Sequence, residues 1–287
     1  MSTIIKILLF IKFSHKALKK YLQNGSKDFR FTGMQSATVH VLGNGPSLEQ
    51  SLPKIGEKDD VIMVNFSVLT DLFIKLKPNY LCLADPKFFD FSNNSELENK
   101  KMALIERLQN IDWNLRIVVP SGAGLEWDNM LPDRVSVLRV NTVSCDKSVQ
   151  FLRNYCYKYN FSMPALENVL VLAIYIAIQR GYNLIYLHGA DSDSFKNITI
   201  NKRNEMVLDE IHYYDSGKRN LSTEEGAIFK TGELYKRLAC ESSMFRSYVD
   251  LADYANYNGS KILNVCPHSM IDAFERSALT EGEAGDV

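Results

Sequence analysis

Two glycines, an amide and a hydroxyl stand together directly after an apolar run. The segment "ATVHVLGNGPSL" places Gly43, Asn44, Gly45 and Ser47 at the end of a β-type pattern. Similar polar groups follow three later β-type runs, at Asn65, at Asp85, and at His188, Gly189, Asp191 and Asp193. Such groups can hold a nucleotide where the carboxyl ends of parallel strands meet.

The elements that would position these groups alternate between strand and helix. Strands are predicted in "ATVHVLG", "DVIMVNF", "NYLCLAD", "LRIVVP", "RVSVLRVN", "NLIYLHGAD" and "SKILNVCP". Helices are predicted in "SLEQSLPKI", "FSVLTDLFIKL", "MALIERLQNI", "ENVLVLAIYIAIQRGY" and "SSMFRSYVDLADYANYNG". This order predicts an α/β fold, a Rossmann-like, doubly wound and mainly parallel sheet, with the polar groups at one edge.

The glycine loop matches neither of the two common phosphate-binding motifs. Pro46-Ser47-Leu48 replaces the third glycine of G-x-G-x-x-G, and Asn65 stands where the acidic residue after the second strand is expected. A P-loop is excluded because no G-K-[ST] follows. The loop can still offer backbone N–H groups, an amide and a hydroxyl to a phosphate or a ribose.

Several blocks together resemble the bacterial sialyltransferases of the lipooligosaccharide type. They are "VLGNGPSL", "DVIMVNFSVL", "NYLCLADPKFF", "GYNLIYLHGAD" and "ILNVCPHSMIDAF", scattered between Val39 and Phe274. Related glycine loops occur in flagellin glycosyltransferases and in a group of pterin pyrophosphokinases. The resemblance implies a glycosyltransferase that takes its sugar from CMP-sialic acid or another nucleotide sugar.

The resemblance also implies which residues contact the donor. The glycine loop and the Asn after the second strand map onto Gly43, Asn44, Gly45 and Asn65, which would hold the nucleotide. The remaining donor-binding candidates are Ser47, Asp85, Asn168, Gly189 and Asp191. The chain departs from the family at two of these places: Asp85 stands where the family has Asn, and Glu167-Asn168 where it has Ser-Gly.

A histidine would act as the general base. In the similar enzymes it follows the G-x-D block and lies close to tyrosines that stabilise the leaving phosphate, which here points to His212 with Tyr213 and Tyr214. An imidazole titrates near neutral pH and suits removal of a proton from an acceptor hydroxyl. His188 is the alternative base, while His40, His15 and His268 are weaker candidates.

Asp191-Ser192-Asp193 forms a D-x-D, which can hold Mg²⁺ or Mn²⁺ against a diphosphate. Only the first Asp matches the similar family, which works without a metal. We therefore expect no cofactor, with Mg²⁺ or Mn²⁺ at Asp191 and Asp193 as the alternative.

The first 24 residues differ from the rest of the chain. An apolar run broken by Lys6 and Lys12 precedes a basic stretch and is too short and too charged to span a bilayer. It predicts either an amphipathic helix at the inner-membrane surface or a helix that covers the protein's own sheet. The predicted organisation is a helix and linker in 1–33, a catalytic domain in 34–275 with a lid-like insertion at about 194–231, and a flexible tail in 276–287.

The overall composition excludes some classes of partner for this chain. With 287 residues, a net charge of −1 and five scattered cysteines, it has no basic field for nucleic acid and no zinc or redox motif. We expect a bacterial cytoplasmic protein, peripheral on the inner membrane, with reduced thiols. Its expected partners are a nucleotide-sugar donor and a glycan or glycolipid acceptor in lipopolysaccharide or capsular polysaccharide biosynthesis. Assembly into a homo-oligomer stays open.

Two other functions stay open from the sequence. In a metal-dependent pyrophosphokinase of the pterin type, Asp85, Asp191 and Asp193 would cluster around magnesium. A non-catalytic nucleotide-binding protein would dock to a membrane through residues 1–24. The lysine-rich start favours a lipid-linked acceptor over a soluble pterin.

Overall fold

The structure is a computed structural model. It describes residues 37–52, 55–56, 58–89, 95–124, 127–145, 148–212, 215–221 and 229–277. The predicted N-terminal helix and linker lie outside these residues. No helix in the described ranges is long and apolar enough to cross a membrane.

Eight parallel strands form the central sheet. In chain order its strands are β1 (Thr38–Leu42), β2 (Asp60–Val64), β3 (Tyr80–Cys82), β4 (Leu115–Pro120), β5 (Val135–Val140), β6 (Leu184–His188), β10 (Lys261–Asn264) and β11 (Glu275–Arg276). Their spatial order is β11-β10-β6-β1-β2-β3-β4-β5. The strand order therefore reverses between β1 and β6, because β2 to β5 extend to one side of β1 and β6, β10 and β11 to the other.

Helices cover both faces of this sheet. They are α1 (Leu48–Ser51), α2 (Asp71–Leu76), α3 (Ser95–Gln109), α4 (Gln150–Lys158), α5 (Val169–Gln179) and α6 (Leu234–Asn258). Apolar side chains of α1, α2 and α3 form one core with the sheet, and those of α4, α5 and α6 form the other. The predicted doubly wound α/β fold is confirmed.

The long apolar pattern before the sixth strand becomes the innermost helix. Nine consecutive residues of α5, from Leu170 to Ile178, are buried. A helix that is apolar on all sides needs cover on all sides, and α5 receives it from the sheet and from α6. Gly181, at a φ of +80°, turns the chain back into β6.

The structure adds one helix that the sequence pattern did not predict. In α4, Cys156 and Tyr157 are buried while Phe151 and Tyr155 are exposed. Its apolar residues therefore do not mark a single buried face, and a periodicity argument does not find the helix.

The predicted lid-like insertion contains a second, antiparallel sheet. Its strands are β7 (Ile198–Ile200), β8 (Met206–His212) and β9 (Asp215–Asn220), in the order β7-β8-β9. A small core supports it, made of Met206, Leu208, Leu221 and Phe229 with Ile198 and Cys240. At the other end of the chain, the central sheet continues through Arg276, one residue into the predicted tail.

Candidate functional site

The loops after β1 and β6 meet where the strand order reverses, and such sheets usually bind their ligand in a crevice at this edge. Gly43 N donates to His188 O at 2.8 Å, and Gly45 N donates to Gly189 O at 2.9 Å. The structure thus brings together the two segments that the sequence predicted to meet.

Close contact between these loops explains the two glycines. A Cβ on Gly43 would lie 2.4 Å from Gly189 O, and a Cβ on Gly45 would lie 2.0 Å from Asp191 Oδ2. Both distances are far inside van der Waals contact. The glycines are therefore required by packing, whatever ligand binds.

The loop does not present its backbone N–H groups as a phosphate cradle. Besides the two glycine N–H groups, Ser47 N donates to Asp191 Oδ2 at 3.1 Å and Leu48 N donates to Gly45 O at 3.1 Å. The following helix, α1, has only four residues. These four N–H groups are already used by the end of β6, by the loop after it and by the glycine loop itself, and the phosphate contact of the loop stays a prediction.

Side-chain groups are what the crevice offers to a ligand. Asn44 Nδ2 lies 3.5 Å from Val64 O, which places the Asn44 amide beside the end of β2. The next residue, Asn65, has a φ of +52°, a conformation that Asn tolerates better than most residues. Asn65 Oδ1 is buried and accepts no hydrogen bond from the described residues. A buried acceptor of this kind calls for a donor from a ligand or a water molecule.

A lysine lies beside Phe66, the residue that follows Asn65. Lys87 Nζ is 3.1 Å from Asp85 Oδ2 and 5.8 Å from the ring centroid of Phe66, the neighbour of Asn65. Asp85 Oδ1 also accepts from Lys87 N at 3.0 Å and caps the short helical turn Pro86–Phe88. Sequence reasoning did not single out Lys87, although it lies within the matched "DPKFF" block. Its charge offsets the carboxylate that replaces the family's Asn.

Two buried hydroxyls were also missed. Ser67 Oγ and Ser121 Oγ follow β2 and β4, and neither has a hydrogen-bond partner among the described residues. Ser121 follows its strand as directly as Asn65 follows β2, so its position was the available signal.

The other predicted donor contacts have local structural roles. Asn168 caps α5, since its Oδ1 accepts from Leu170 N at 2.7 Å. Asp191 is buried and accepts from Ser47 N, whereas Asp193 is more exposed, with Lys196 Nζ at 3.9 Å. Within the described ranges, no three His, Cys, Asp or Glu side chains group as metal ligands.

His188 does not lie in the crevice. Its side chain is fully buried on the face covered by α1, where Nε2 lies 2.8 Å from His40 Nδ1 and Nδ1 lies 2.9 Å from Ser51 Oγ. His40 Nε2 in turn lies 3.2 Å from Asp59 Oδ2, and burial lowers the pKa of His40. The burial of its side chain speaks against His188 as the alternative base, because alternation along β6 turns this side chain into the core.

His212 ends β8 in the small sheet, where it pairs with Asp215. Tyr213 and Tyr214 lie outside the described residues. Phe195 packs edge-on against Phe245 of α6, with ring centroids 5.9 Å apart, and so attaches the start of the insertion to the main domain. The catalytic role of His212 stays a prediction.

A third histidine lies at the rim of the crevice. His268 is exposed in the loop after β10. Ser269 Oγ donates to Ala190 O at 2.6 Å and Met270 N donates to Asp191 O at 2.8 Å, so this loop lies against the loop after β6. His268 is therefore an exposed histidine in a loop that lies against the loop after β6, and it becomes a rival for the role of base.

Replacing Gly43 with alanine is expected to lower the free energy of unfolding by about 1–3 kcal/mol, because its Cβ would overlap the Gly189 carbonyl. Gly122→Ala is the matched control, since a Cβ there meets nothing within 4 Å, and it should change stability by less than about 0.5 kcal/mol. Urea unfolding measures both. Equal stabilities of the two variants would contradict the close contact.

Comparisons with known proteins identify structural similarity only. No protein-family model matches the sequence, and no curated protein matches it. Similar solved structures include the sialyltransferase CstII from Campylobacter jejuni in complex with a substrate analogue, CMP-3FNeuAc, with 17% identity over 83% of this chain and 85% of that one and a TM-score of 0.45. The monofunctional alpha-2,3-sialyltransferase Cst-I from the same organism has 16% identity over 88% of this chain and 84% of that one, with a TM-score of 0.46.

Proposed function

We propose that the protein is a glycosyltransferase that moves a sugar from a nucleotide-sugar donor to a cell-surface glycan. The observation that carries the proposal is the group of side-chain amides and hydroxyls at the reversal of strand order, above all the buried, unfilled acceptor Asn65 Oδ1. The sequence motifs that resemble bacterial sialyltransferases include this same residue.

These groups suit a nucleoside better than a bare phosphate. Asn65 Oδ1 can accept a hydrogen bond from a ribose hydroxyl or from an exocyclic amino group, and the Asn44 amide lies beside it. Lys87 next to Phe66 supplies a positive charge for the phosphate. A cytidine nucleotide such as CMP-sialic acid fits this set of donors and acceptors.

The reaction we propose is an inverting displacement. A base removes the proton from an acceptor hydroxyl, the oxygen attacks the anomeric carbon, and the bond to the nucleotide phosphate breaks. His212 is the proposed base, with Tyr213 and Tyr214 as donors to the leaving phosphate. His268 is the second candidate because its loop lies against Asp191 O.

We propose that transfer needs no metal ion. Asp191 Oδ2 already accepts from Ser47 N, and Asp193 lies near Lys196, so the two carboxylates are not turned to one ion. A monophosphate leaving group can be stabilised by hydrogen-bond donors alone. Excess chelator should therefore leave the rate of transfer unchanged. Loss of transfer on adding chelator would favour Mg²⁺ or Mn²⁺ at the site.

The pyrophosphokinase alternative finds less support in the same contacts. It would need Asp85, Asp191 and Asp193 around magnesium, yet Asp85 pairs with Lys87 and caps a helical turn. Each of the three carboxylates has its own local partner in the described structure.

Release of nucleotide from candidate donors tests the function. The full-length protein is incubated with CMP-, UDP- and GDP-sugars, and separately with ATP and a pterin, and the released nucleotide is separated by chromatography. We expect CMP from a CMP-sugar. AMP from ATP with the pterin, and no nucleotide from any sugar, would identify the kinase instead. Binding without any release would favour the non-catalytic alternative.

The acceptor is proposed to lie at the inner-membrane surface. The basic, apolar segment 1–24 supports this because it suits an anionic interface. Sedimentation of the full-length protein with anionic vesicles should exceed that with neutral vesicles, and equal sedimentation would contradict the proposal.

A further inference from the structure

A second cleft opens at the opposite, amino-terminal edge of the sheet. It encloses about 320 Å³ among the first residues of β2 to β5 and the end of α5. A wider surface depression of about 630 Å³ adjoins it beside Trp113 and shares Asn114, Asp133 and Arg134 with it. The residues of the proposed donor site are absent from the walls of both.

An arginine occupies a core-facing row of the sheet in this cleft. The register places Tyr80, Arg116 and Ser136 side by side on β3, β4 and β5. Two residues further along β4, on the same face, Val118 is fully buried in the core shared with α5. The alternation of side chains along β4 would therefore favour an apolar residue at position 116. A charged residue is possible there because the cleft is open to solvent.

The Arg116 guanidinium has no hydrogen bond or ion pair with any described residue, although the side chain is half-buried. Arg180, in contrast, is held in the wall: its Nε donates to Tyr80 OH at 2.5 Å and its guanidinium carbon lies 5.3 Å from the Tyr80 ring centroid. A partly buried cation without a partner is costly, and a bound anion would remove that cost.

The carboxylates of the cleft do not supply this anion. Asp60 is buried and accepts a hydrogen bond from Tyr182 OH at 2.5 Å. Asp133 is exposed at the rim, next to the exposed Arg134. Three arginines thus line the cleft against two aspartates, which leaves an excess of positive charge.

We propose that this cleft binds a small phosphate-bearing ligand through Arg116 and Arg134. A guanidinium offers parallel N–H donors that match two phosphate oxygens, and a second cation suits the remaining charge of a dianion. Asn79 adds a neutral donor, because its Oδ1 already accepts from Val61 N at 2.8 Å and its Nδ2 has no partner within the described ranges. The volume admits a phosphate with a small organic group.

The site is separate from the proposed donor site. The two lie at opposite ends of the same strands, and a strand of six residues spans about 20 Å. Binding here would therefore persist in an Asn44→Ala variant even if that variant lost the nucleotide, so the two proposals fail independently.

Isothermal titration with inorganic phosphate and with glycerol 3-phosphate tests the site on the full-length protein. We expect saturable 1:1 binding that Arg116→Gln weakens at least tenfold, and that Arg116→Lys weakens less because it keeps the charge but loses the paired donors. Arg139→Gln is the matched control, since Arg139 lies on neighbouring β5 and pairs with Asp128 at 2.9 Å. It should bind as the wild type does.

Further experiments identify which kind of molecule carries the phosphate. Stronger sedimentation with vesicles containing phosphatidic acid than with equally charged phosphatidylglycerol vesicles, lost in Arg116→Gln, would identify a lipid headgroup with the same chemistry. If Arg116→Gln does not fold, as judged by circular dichroism, Arg134→Gln takes its place. Three results would overturn the proposal: tighter binding of acetate or citrate than of phosphate, unchanged phosphate binding in the folded variant, or a wild type that binds no phosphate and does not prefer phosphatidic acid to phosphatidylglycerol.

Discussion

Replacing His212 with alanine is expected to lower sugar transfer by about 10²–10⁴-fold, the range for loss of a positioned general base. The affinity for the donor should change little, because the nucleotide is proposed to contact Asn44 and Asn65 at the ends of β1 and β2. The expected pattern is therefore a fall in kcat with KM for the donor nearly unchanged. Initial rates at saturating acceptor measure both.

The pH profile separates a base from a residue that only supports the small sheet. In the wild type, kcat/KM should rise with pH as the base loses its proton, and this rise should be absent in His212→Ala. Arg203→Gln is the control, because Arg203 is exposed in the turn between β7 and β8 of the same small sheet. It should keep the wild-type rate and profile.

His268→Gln decides between the two histidines. It should retain transfer if His212 is the base. Full activity in His212→Ala together with loss in His268→Gln would reject His212 and assign the base to the loop that lies against Asp191.

Replacing Asn65 with alanine is expected to raise KM for the nucleotide-sugar donor by about 10- to 100-fold, the cost of one or two lost hydrogen bonds to a buried ligand. Asn65 Oδ1 is buried without a partner among the described residues, so a ligand donor is what it would lose. Because the amide is proposed to bind the nucleotide equally in substrate and transition state, kcat should stay within a few-fold. Equilibrium titration with CMP provides an independent measure.

Asn65→Gly separates the amide from the backbone. The φ of +52° is strained for alanine and comfortable for glycine, so the glycine variant should fold as stably as the wild type while losing the same donor affinity. If Asn65→Gly keeps full affinity for CMP, the amide does not contact the nucleotide. Any loss of donor affinity in Asn65→Ala would then come from backbone strain.

The sequence alone determined the sheet and the position of its loops. Apolar runs of strand length alternate with helical patterns, and this local signal predicted the central strands from β1 to β10 and the covering helices except α4. The predictions failed where apolar residues did not mark a buried face, as in α4, and where a polar composition concealed antiparallel pairing, as in β7, β8 and β9.

Only the tertiary structure decided which groups of the predicted site are available to a ligand. The glycines at positions 43 and 45 were evident from the sequence, yet their N–H groups donate to His188 O and Gly189 O, in a segment far away along the chain. From the sequence, His188 ends a strand and could have been accessible. In the structure its side chain lies on the face of the sheet that α1 covers, and it is buried against His40. The charge of Lys87 became relevant only when folding placed it beside Phe66, from another strand end, whereas its pairing with Asp85 is local. Residue type and spacing are local properties, whereas hydrogen-bond partners, burial and neighbouring charge depend on which distant strands pack together.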